Sequence, residues 1–329
     1  MEKAQEEKII RELSDIFFQR FGRQPEILKL KGEGSDRKYF RMKSPDGLSA
    51  IGAWNEDTDE NKAFIELACL LRERGILVPE IYSSSSDGRI YLQEDLGDCQ
   101  LITKLDKDRD EIINILFDSL VKFQTLSENS WINLTFYPAF NRRQVFWDLN
   151  YFKYSFLKIG KYLFNENKLE DDFEKLGNLL INIPEEEKGL MYRDFQSRNI
   201  MIKDESFYFI DFQGARKGPL LYDPISFLWQ VKAKFTMKER NDFLNLYMEK
   251  LQNARPQIEF ESMKRNSKYL IIFRMLQVLG AYGFRGLIEG KPHFLESLTG
   301  AKKNLKIIIE NGWMKDFPEL QRVCGIVVN

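Results

Sequence analysis

The chain has 329 residues, 43% of them apolar and 30% charged, which is enough for two domains with a substantial core. Its 49 Lys and Arg stand against 50 Asp and Glu, so no global basic field points to nucleic acid or an anionic membrane, and a small molecule is the expected partner. Three scattered cysteines (Cys69, Cys99, Cys324) and one histidine (His293) are too few soft ligands for a structural zinc site and fit a reducing, cytoplasmic protein.

The first residues, Met1-Glu2-Lys3-Ala4-Gln5-Glu6-Glu7-Lys8, are charged rather than apolar. The most hydrophobic stretch, 269–284, contains Arg274 and Gln277, so neither secretion nor membrane spanning is expected. Ile9, Ile10, Leu13, Ile16 and Phe17 recur at helical spacing and predict an amphipathic helix ending near Phe21-Gly22 and packing on a sheet. Residues 27–30, 38–42 and 49–54 read as strands, the last two joined by the turn Ser44-Pro45-Asp46-Gly47. A helix follows at 60–74. Residues 78–82 and 89–93, separated by a turn at 83–88, then complete five strands. Beyond the hinge-like Glu94-Asp95-Leu96-Gly97-Asp98, helices dominate: 108–126, a long one at 144–165, one at 169–180, and several after Pro224.

The long helix carries Phe146, Trp147, Leu149, Tyr151, Phe152, Tyr154 and Phe156. Such density reads as core or as a wall for a sugar ring, with Asp148 as a candidate acceptor for a sugar hydroxyl. The most telling segment is Tyr192-Arg193-Asp194-Phe195-Gln196-Ser197-Arg198-Asn199-Ile200-Met201-Ile202, followed by Phe207-Tyr208-Phe209-Ile210-Asp211-Phe212-Gln213. Two short apolar runs around the polar turn 203–206 predict a hairpin with Asp211 at its far end. Phosphoryl transfer needs one carboxylate to orient and deprotonate the attacking hydroxyl, plus a carboxylate and an amide oxygen for magnesium. Asp194 fits the first role, and Asn199 with Asp211 the second. An ordinary hairpin whose Asp and Asn cap turns is the alternative.

Lys31-Gly32-Glu33-Gly34-Ser35-Asp36-Arg37-Lys38 lies between two predicted strands, where glycines would let backbone N–H groups approach phosphate oxygens; a plain hairpin turn is the other reading. No Walker-type loop is present, since Gly286-Leu287-Ile288-Glu289-Gly290-Lys291-Pro292 is too short and ends in Pro. Arg274, Gln277 and Gly280 share a face of a later helix, where Arg274 and Gln277 could present a guanidinium and an amide to a sugar or carboxylate, or pair on the helix surface.

The 192–213 segment resembles the catalytic and metal loops of the aminoglycoside-phosphotransferase and choline-kinase superfamily. Arg193-Asp194-Phe195, Ile210-Asp211-Phe212-Gln213 and Gly218-Pro219-Leu220-Leu221-Tyr222-Asp223-Pro224 are most similar to the anomeric amino-sugar kinases of peptidoglycan recycling, which phosphorylate the C1 hydroxyl of N-acetylmuramate or N-acetylglucosamine. The resemblance implies an α+β, protein-kinase-like two-lobe fold. Residues 1–97 would form a nucleotide-binding lobe with a small five-stranded antiparallel sheet, and residues 98–329 a mainly helical lobe with the catalytic, metal and acceptor sites. It implies ATP as phosphoryl donor, Mg2+, a sugar acceptor, and nucleotide contacts from Gly32, Gly34, Ser35, Arg37, Arg41, Gln93, Glu94 and Leu96. Arg193 and Asp223 would support the catalytic loop, although Asp223-Pro224 also reads as a helix N-cap followed by Pro at the first helical position.

Departures from the kinase pattern are informative. The third strand, Ala50-Ile51-Gly52-Ala53-Trp54, lacks the usual Lys, so another cation must meet the phosphates. Arg37, Lys38 and Arg41 are the nearest candidates, with solvated surface charge the other reading for Lys38; alternation aims Arg37, Tyr39 and Arg41 to one face, and Arg41 is the choice. Tyr192 and Gln196 replace the usual His and Lys, and no Ala-Pro-Glu follows Asp211, so protein substrates are not expected. Kinases for other alcohols (an aminoglycoside, choline, homoserine, methylthioribose) and a catalytically silent kinase-like scaffold are the rival readings.

Overall fold

The computed structural model describes residues 2–30 and 37–329. Gly32, Gly34 and Ser35, expected at the phosphates, lie outside the described residues. The chain folds as two compact units. One comprises Met1–Lys104, Ser127–Tyr137 and Arg198–Ala215; the other comprises Leu105–Leu126, Pro138–Ser197 and Arg216–Asn329.

The first unit is built on helix α1 (Glu2–Phe21) and strands β1 (Glu26–Lys29), β2 (Lys38–Lys43) and β3 (Ser49–Trp54), followed by helix α2 (Thr58–Glu73), β4 (Ile81–Ser84) and β5 (Ile90–Glu94). The strands form one antiparallel sheet in the order β1-β2-β3-β5-β4. Strand alternation sends Phe40, Met42, Ala50, Trp54, Ile90 and Leu92 to one face, where Ile9, Leu13 and Phe17 of α1 cover them. Each large side chain buried there contributes roughly 1.5–3 kcal/mol. Gly52 permits the close approach, since a Cβ at that position would lie 2.4 Å from Leu13 Cδ2. The opposite face carries Tyr39, Arg41, Ile51, Ala53, Tyr91 and Gln93, in register as the rows Arg41-Ile51-Gln93 and Tyr39-Ala53-Tyr91. Asp57 caps α2 by accepting from the Glu60 N–H.

The expected hairpin is present as Ile200–Lys203 paired with Ser206–Phe209. A single boundary at residue 97 is not how the chain divides. The hairpin packs with the first unit because the Ile202 N–H bonds Cys99 O at 2.8 Å and the Phe209 N–H bonds Leu77 O at 2.9 Å.

The second unit is helical apart from one two-stranded ribbon, Lys188–Met191 with Arg216–Pro219. Its longest helix, Phe260–Tyr282, continues as a π-helical turn to Ile288. The stretch 260–288 is long and apolar enough to cross a membrane by length and composition, but here it is the central helix of the unit, more than half buried in its most apolar part. The helix expected at 144–165 is shorter. It runs Arg142–Phe152, winds into a π-helical turn at Lys153–Lys158, and gives way to a turn around Gly160. The two π-helical turns lie against each other. Gly283 makes this possible, because a Cβ there would sit 2.3 Å from the Ser155 backbone oxygen. Gly283→Ala should therefore lower stability by about 1–3 kcal/mol, read as a reduced denaturation midpoint, since backbone cannot move aside as a side-chain tip can.

Candidate active site

In the second unit, the ribbon strand Lys188–Met191 delivers the chain to Tyr192, and the loop after it is held by one carboxylate. Asp223 is fully buried; its Oδ2 accepts the Tyr192 N–H at 2.7 Å and its Oδ1 accepts the Arg193 N–H at 2.8 Å. Gln124 Nε2 donates to the same Oδ2, and the Tyr247 hydroxyl donates to Gln124 Oε1, so the brace is itself fixed from two helices. Burial pushes the Asp223 carboxyl up, to about 7, while the three donors pull it down. Asp223 is not an N-cap: it lies within the helix Tyr222–Leu228, which starts after Leu221 and has no side-chain cap bond. With two N–H groups tied to Asp223, Arg193 sits at φ 80°, a left-handed conformation that costs a non-glycine residue energy and marks a loop held for a purpose.

The Arg193 side chain is tied down as firmly as its backbone. Nη2 donates to Asp148 Oδ2 at 2.8 Å, Nη1 donates to the Tyr222 hydroxyl, and Cζ stands 4.9 Å from the centroid of the Tyr222 ring. Burial works against its charge, and the Tyr222, Asp148 and Asp194 oxygens more than offset it, so the guanidinium stays protonated. Asp148 is 4% exposed and takes Gln144 on the same Oδ2 at 3.3 Å; Arg216 in turn bonds Gln144 at 3.1 Å. Asp148 is thus an anchor for Arg193 before it is anything else. Arg274 and Gln277 are hydrogen-bonded to each other, and Arg274 lies 5.7 Å from the Tyr222 ring centroid. The Tyr222 phenol feels the charges of Arg193, Arg274, Asp148 and Asp194 together, which places these sequence-selected residues in one neighbourhood.

In the first unit, Asn199 and Asp211 face each other across the ends of the hairpin. The Ile210 N–H bonds Asn199 O at 3.0 Å, Asn199 Nδ2 donates to Asp211 Oδ2 at 3.2 Å, and Gln213 Nε2 donates to Asp211 Oδ1 at 2.8 Å. Asp211 has φ 64°, the second strained non-glycine residue in a predicted functional loop. Phe212 stacks on Phe64 of α2 with centroids 4.7 Å apart, and Phe64 meets Tyr91 at 5.3 Å. Among the described residues no group of three or more His, Cys, Asp or Glu could enclose a metal. A carboxylate beside an amide is nevertheless the hard-oxygen donor set that magnesium accepts, because this ion keeps waters and takes substrate phosphates as its remaining ligands.

Arg41, the cation expected on the phosphates, is ion-paired. Arg41 Nε lies 2.9 Å from Asp95 and its Nη2 2.8 Å from Asp98, so its charge is met by the segment after β5. Arg37 is 3% exposed, bonds Glu60 of α2 at 2.9 Å, and stands 5.7 Å from the Phe64 ring centroid. Asn55 also bonds Glu60, at 2.6 Å. Glu94 is occupied by Lys203 at 2.6 Å and Arg72 at 3.5 Å, Gln93 has its Oε1 buried with no donor, and Leu96 borders a hollow of about 410 Å³ with Lys43, Ser49 and Asp95. Glu60, Gln124 and Tyr222 escaped the sequence reading. The signals were present as the first-turn acid of α2, a lone amide on an apolar helix face, and the Tyr of Tyr222-Asp223-Pro224.

The phosphotransferase enzyme family (APH) model matches residues 26–260. N-acetylmuramate/N-acetylglucosamine kinases from Pseudomonas aeruginosa and Pseudomonas putida are 24% and 25% identical to the chain; the alignments cover 82% and 80% of it, and 80% and 77% of those proteins. The solved structure of an ethanolamine kinase from Plasmodium vivax superposes with a TM-score of 0.63 at 14% identity, covering 86% of this chain and 82% of that one, so the fold is the protein-kinase-like α+β fold of such enzymes. The braced Asp194 loop and the Asn199–Asp211 pair thus sit in a chain that belongs to the phosphotransferase enzyme family and transfers a phosphoryl group to an alcohol.

Proposed function

We propose that this chain is an ATP- and magnesium-dependent kinase that phosphorylates the anomeric hydroxyl of N-acetylmuramate or N-acetylglucosamine. The observation that carries the chemistry is the pairing of Asn199 with Asp211 behind one loop and the clamping of Arg193, next to Asp194, by Asp223 and Asp148 in the other. The acceptor identity is supported by the names of the relatives and by the mixture of Arg193, Arg274 and Asp148 around Tyr222, which suits a neutral or anionic sugar better than a polycation.

Asp194 would orient the sugar hydroxyl in line with the γ-phosphorus and take its proton. The oxygen forms the new P–O bond as the bond to the β–γ bridging oxygen breaks, and ADP leaves with that electron pair. Asn199 and Asp211 would hold magnesium, which when bound neutralises charge on the phosphates. Arg37 is a better candidate than Arg41 for the missing strand cation, because it shares the sheet face and has a helix glutamate, Glu60, as its partner. Asp148, Arg274 and Gln277 would face the acceptor, and Gln93 and Leu96 the nucleobase.

Asp194→Asn should cut turnover by a factor of about 100 or more while ATP still binds, followed by phosphorus NMR of the sugar 1-phosphate formed from either amino sugar; wild-type turnover in the variant removes this role. Asn199→Ala and Asp211→Ala should weaken the magnesium-dependent part of ATP binding in calorimetry run with and without the ion, and undiminished metal dependence in both contradicts the ligand assignment. Asp223→Asn puts an amide N–H against backbone donors. It should lose about 1–3 kcal/mol of stability in a denaturant titration and reduce kcat more than it changes KM for ATP.

A further inference from the structure

Arg274 carries a buried charge that no carboxylate of the second unit matches. Its side chain comes from the middle of helix Phe260–Tyr282 and is 7% exposed. Its Nη1 donates to Gln277 Oε1, and its Nε is buried with no acceptor. Among the described residues, no carboxylate lies within ion-pair distance of it. A buried guanidinium without a counter-anion is costly, which makes it a candidate for meeting an anionic ligand. Arg193, on the same Tyr222 ring, has Asp148 at 2.8 Å. Arg240 also lacks a carboxylate, but it lies 4.2 Å over Trp229 and donates to Asn304 at 2.9 Å, which is a packing solution of its own.

Arg274 stands apart because of its surroundings. The Tyr222 phenol that it flanks also feels Asp194, so the unmatched cation belongs to the neighbourhood of the residue assigned to the acceptor hydroxyl. Gln277 holds one Nη, leaving the Nε edge of the fork, which is the edge that grips a carboxylate through two parallel bonds. We infer that Arg274, positioned by Gln277, reads a carboxylate on the sugar, so that the site selects N-acetylmuramate over N-acetylglucosamine. The two sugars differ by the lactyl ether of the former, which ends in a carboxylate. The inference rests on the sugar-kinase reading. A site built for a charged group rejects the analogue lacking it more strongly than an apolar pocket rejects a missing methylene, because its own polar atoms are left unmatched.

The test is the ratio of kcat/KM for the two sugars in the wild-type chain, Arg274→Met and Arg274→Lys, with thermal denaturation of each. The wild-type chain should favour N-acetylmuramate by about tenfold or more, and Arg274→Met should lower that ratio by about 10- to 100-fold, the loss falling on KM for N-acetylmuramate. Arg274→Lys, which keeps the charge without the fork, should recover part of the ratio. The Met variant should melt no lower than wild type, because removing an unmatched buried charge relieves strain rather than breaking a pair. Losses in equal proportion on both sugars, or an unchanged ratio with a lower melting temperature, would assign Arg274 a structural role and overturn this inference alone. Absence of phosphorylation of either sugar by the wild-type chain overturns the function reading and this inference with it.

Discussion

One buried carboxylate fixes the loop that carries Asp194. Asp223 accepts the N–H groups of Tyr192 and Arg193, and in doing so holds Arg193 in a left-handed conformation that the residue would not choose alone. The arrangement is costly twice over, in backbone strain and in the desolvation that pushes the Asp223 carboxyl up. It persists because the surroundings determine it more than once: Gln124 and Tyr247 fix the carboxylate, while Asp148 and Tyr222 fix the other end of Arg193. A loop tied at backbone and side chain leaves the next residue, Asp194, with little conformational freedom, which is the positioning that its proposed role requires.

The Asn199–Asp211 pair uses a lighter version of the same device. Asp211 is also in the left-handed region, and its two oxygens take amide donors from Asn199 and Gln213. Phe212, stacked on Phe64, locks the following residue into the apolar packing of α2. A polar residue in a strained conformation is thus held between two amide donors and an aromatic stack, so its carboxylate direction is set by hydrogen bonds and packing together.

Much of this was legible in the sequence, for reasons that differ by element. Strand β2 announces itself by alternation, which survives into the sheet as the α1 face and the Tyr39-Arg41 face, whereas β3 and β5 read as short apolar runs and are buried along nearly their whole length. The Asp-Asn-Asp motif is legible because its three members lie within 18 residues on one hairpin and its approach. The partner choices of the arginines were not legible. Arg41 finds Asp95 and Asp98, Arg37 finds Glu60, and Arg193 finds Asp148, each across tens of residues. Which acid meets which base depends on register and helix placement, neither of which leaves a periodic trace. The helix expected at 144–165 stops short although aromatics at helical spacing continue past residue 152: a π-helical turn packed against Gly283 follows, and then a turn around Gly160.

The absence of a lysine on β3 is best understood from the sheet register. Ala53, on the face away from α1, lies directly between Tyr39 of β2 and Tyr91 of β5. Tyr91 is fully buried and Tyr39 partly so, so the two rings fill the space that a long side chain at position 53 would occupy. A lysine at 53 would have to displace one ring or bury its ammonium among phenols at a desolvation cost of several kcal/mol. A cation sits nearby, just before β2. There Arg37 reaches past Tyr39 to Glu60, and a guanidinium suits the setting because it stacks toward Phe64 while keeping its ion pair. The Tyr39-Ala53-Tyr91 row is therefore matched to a small residue at 53.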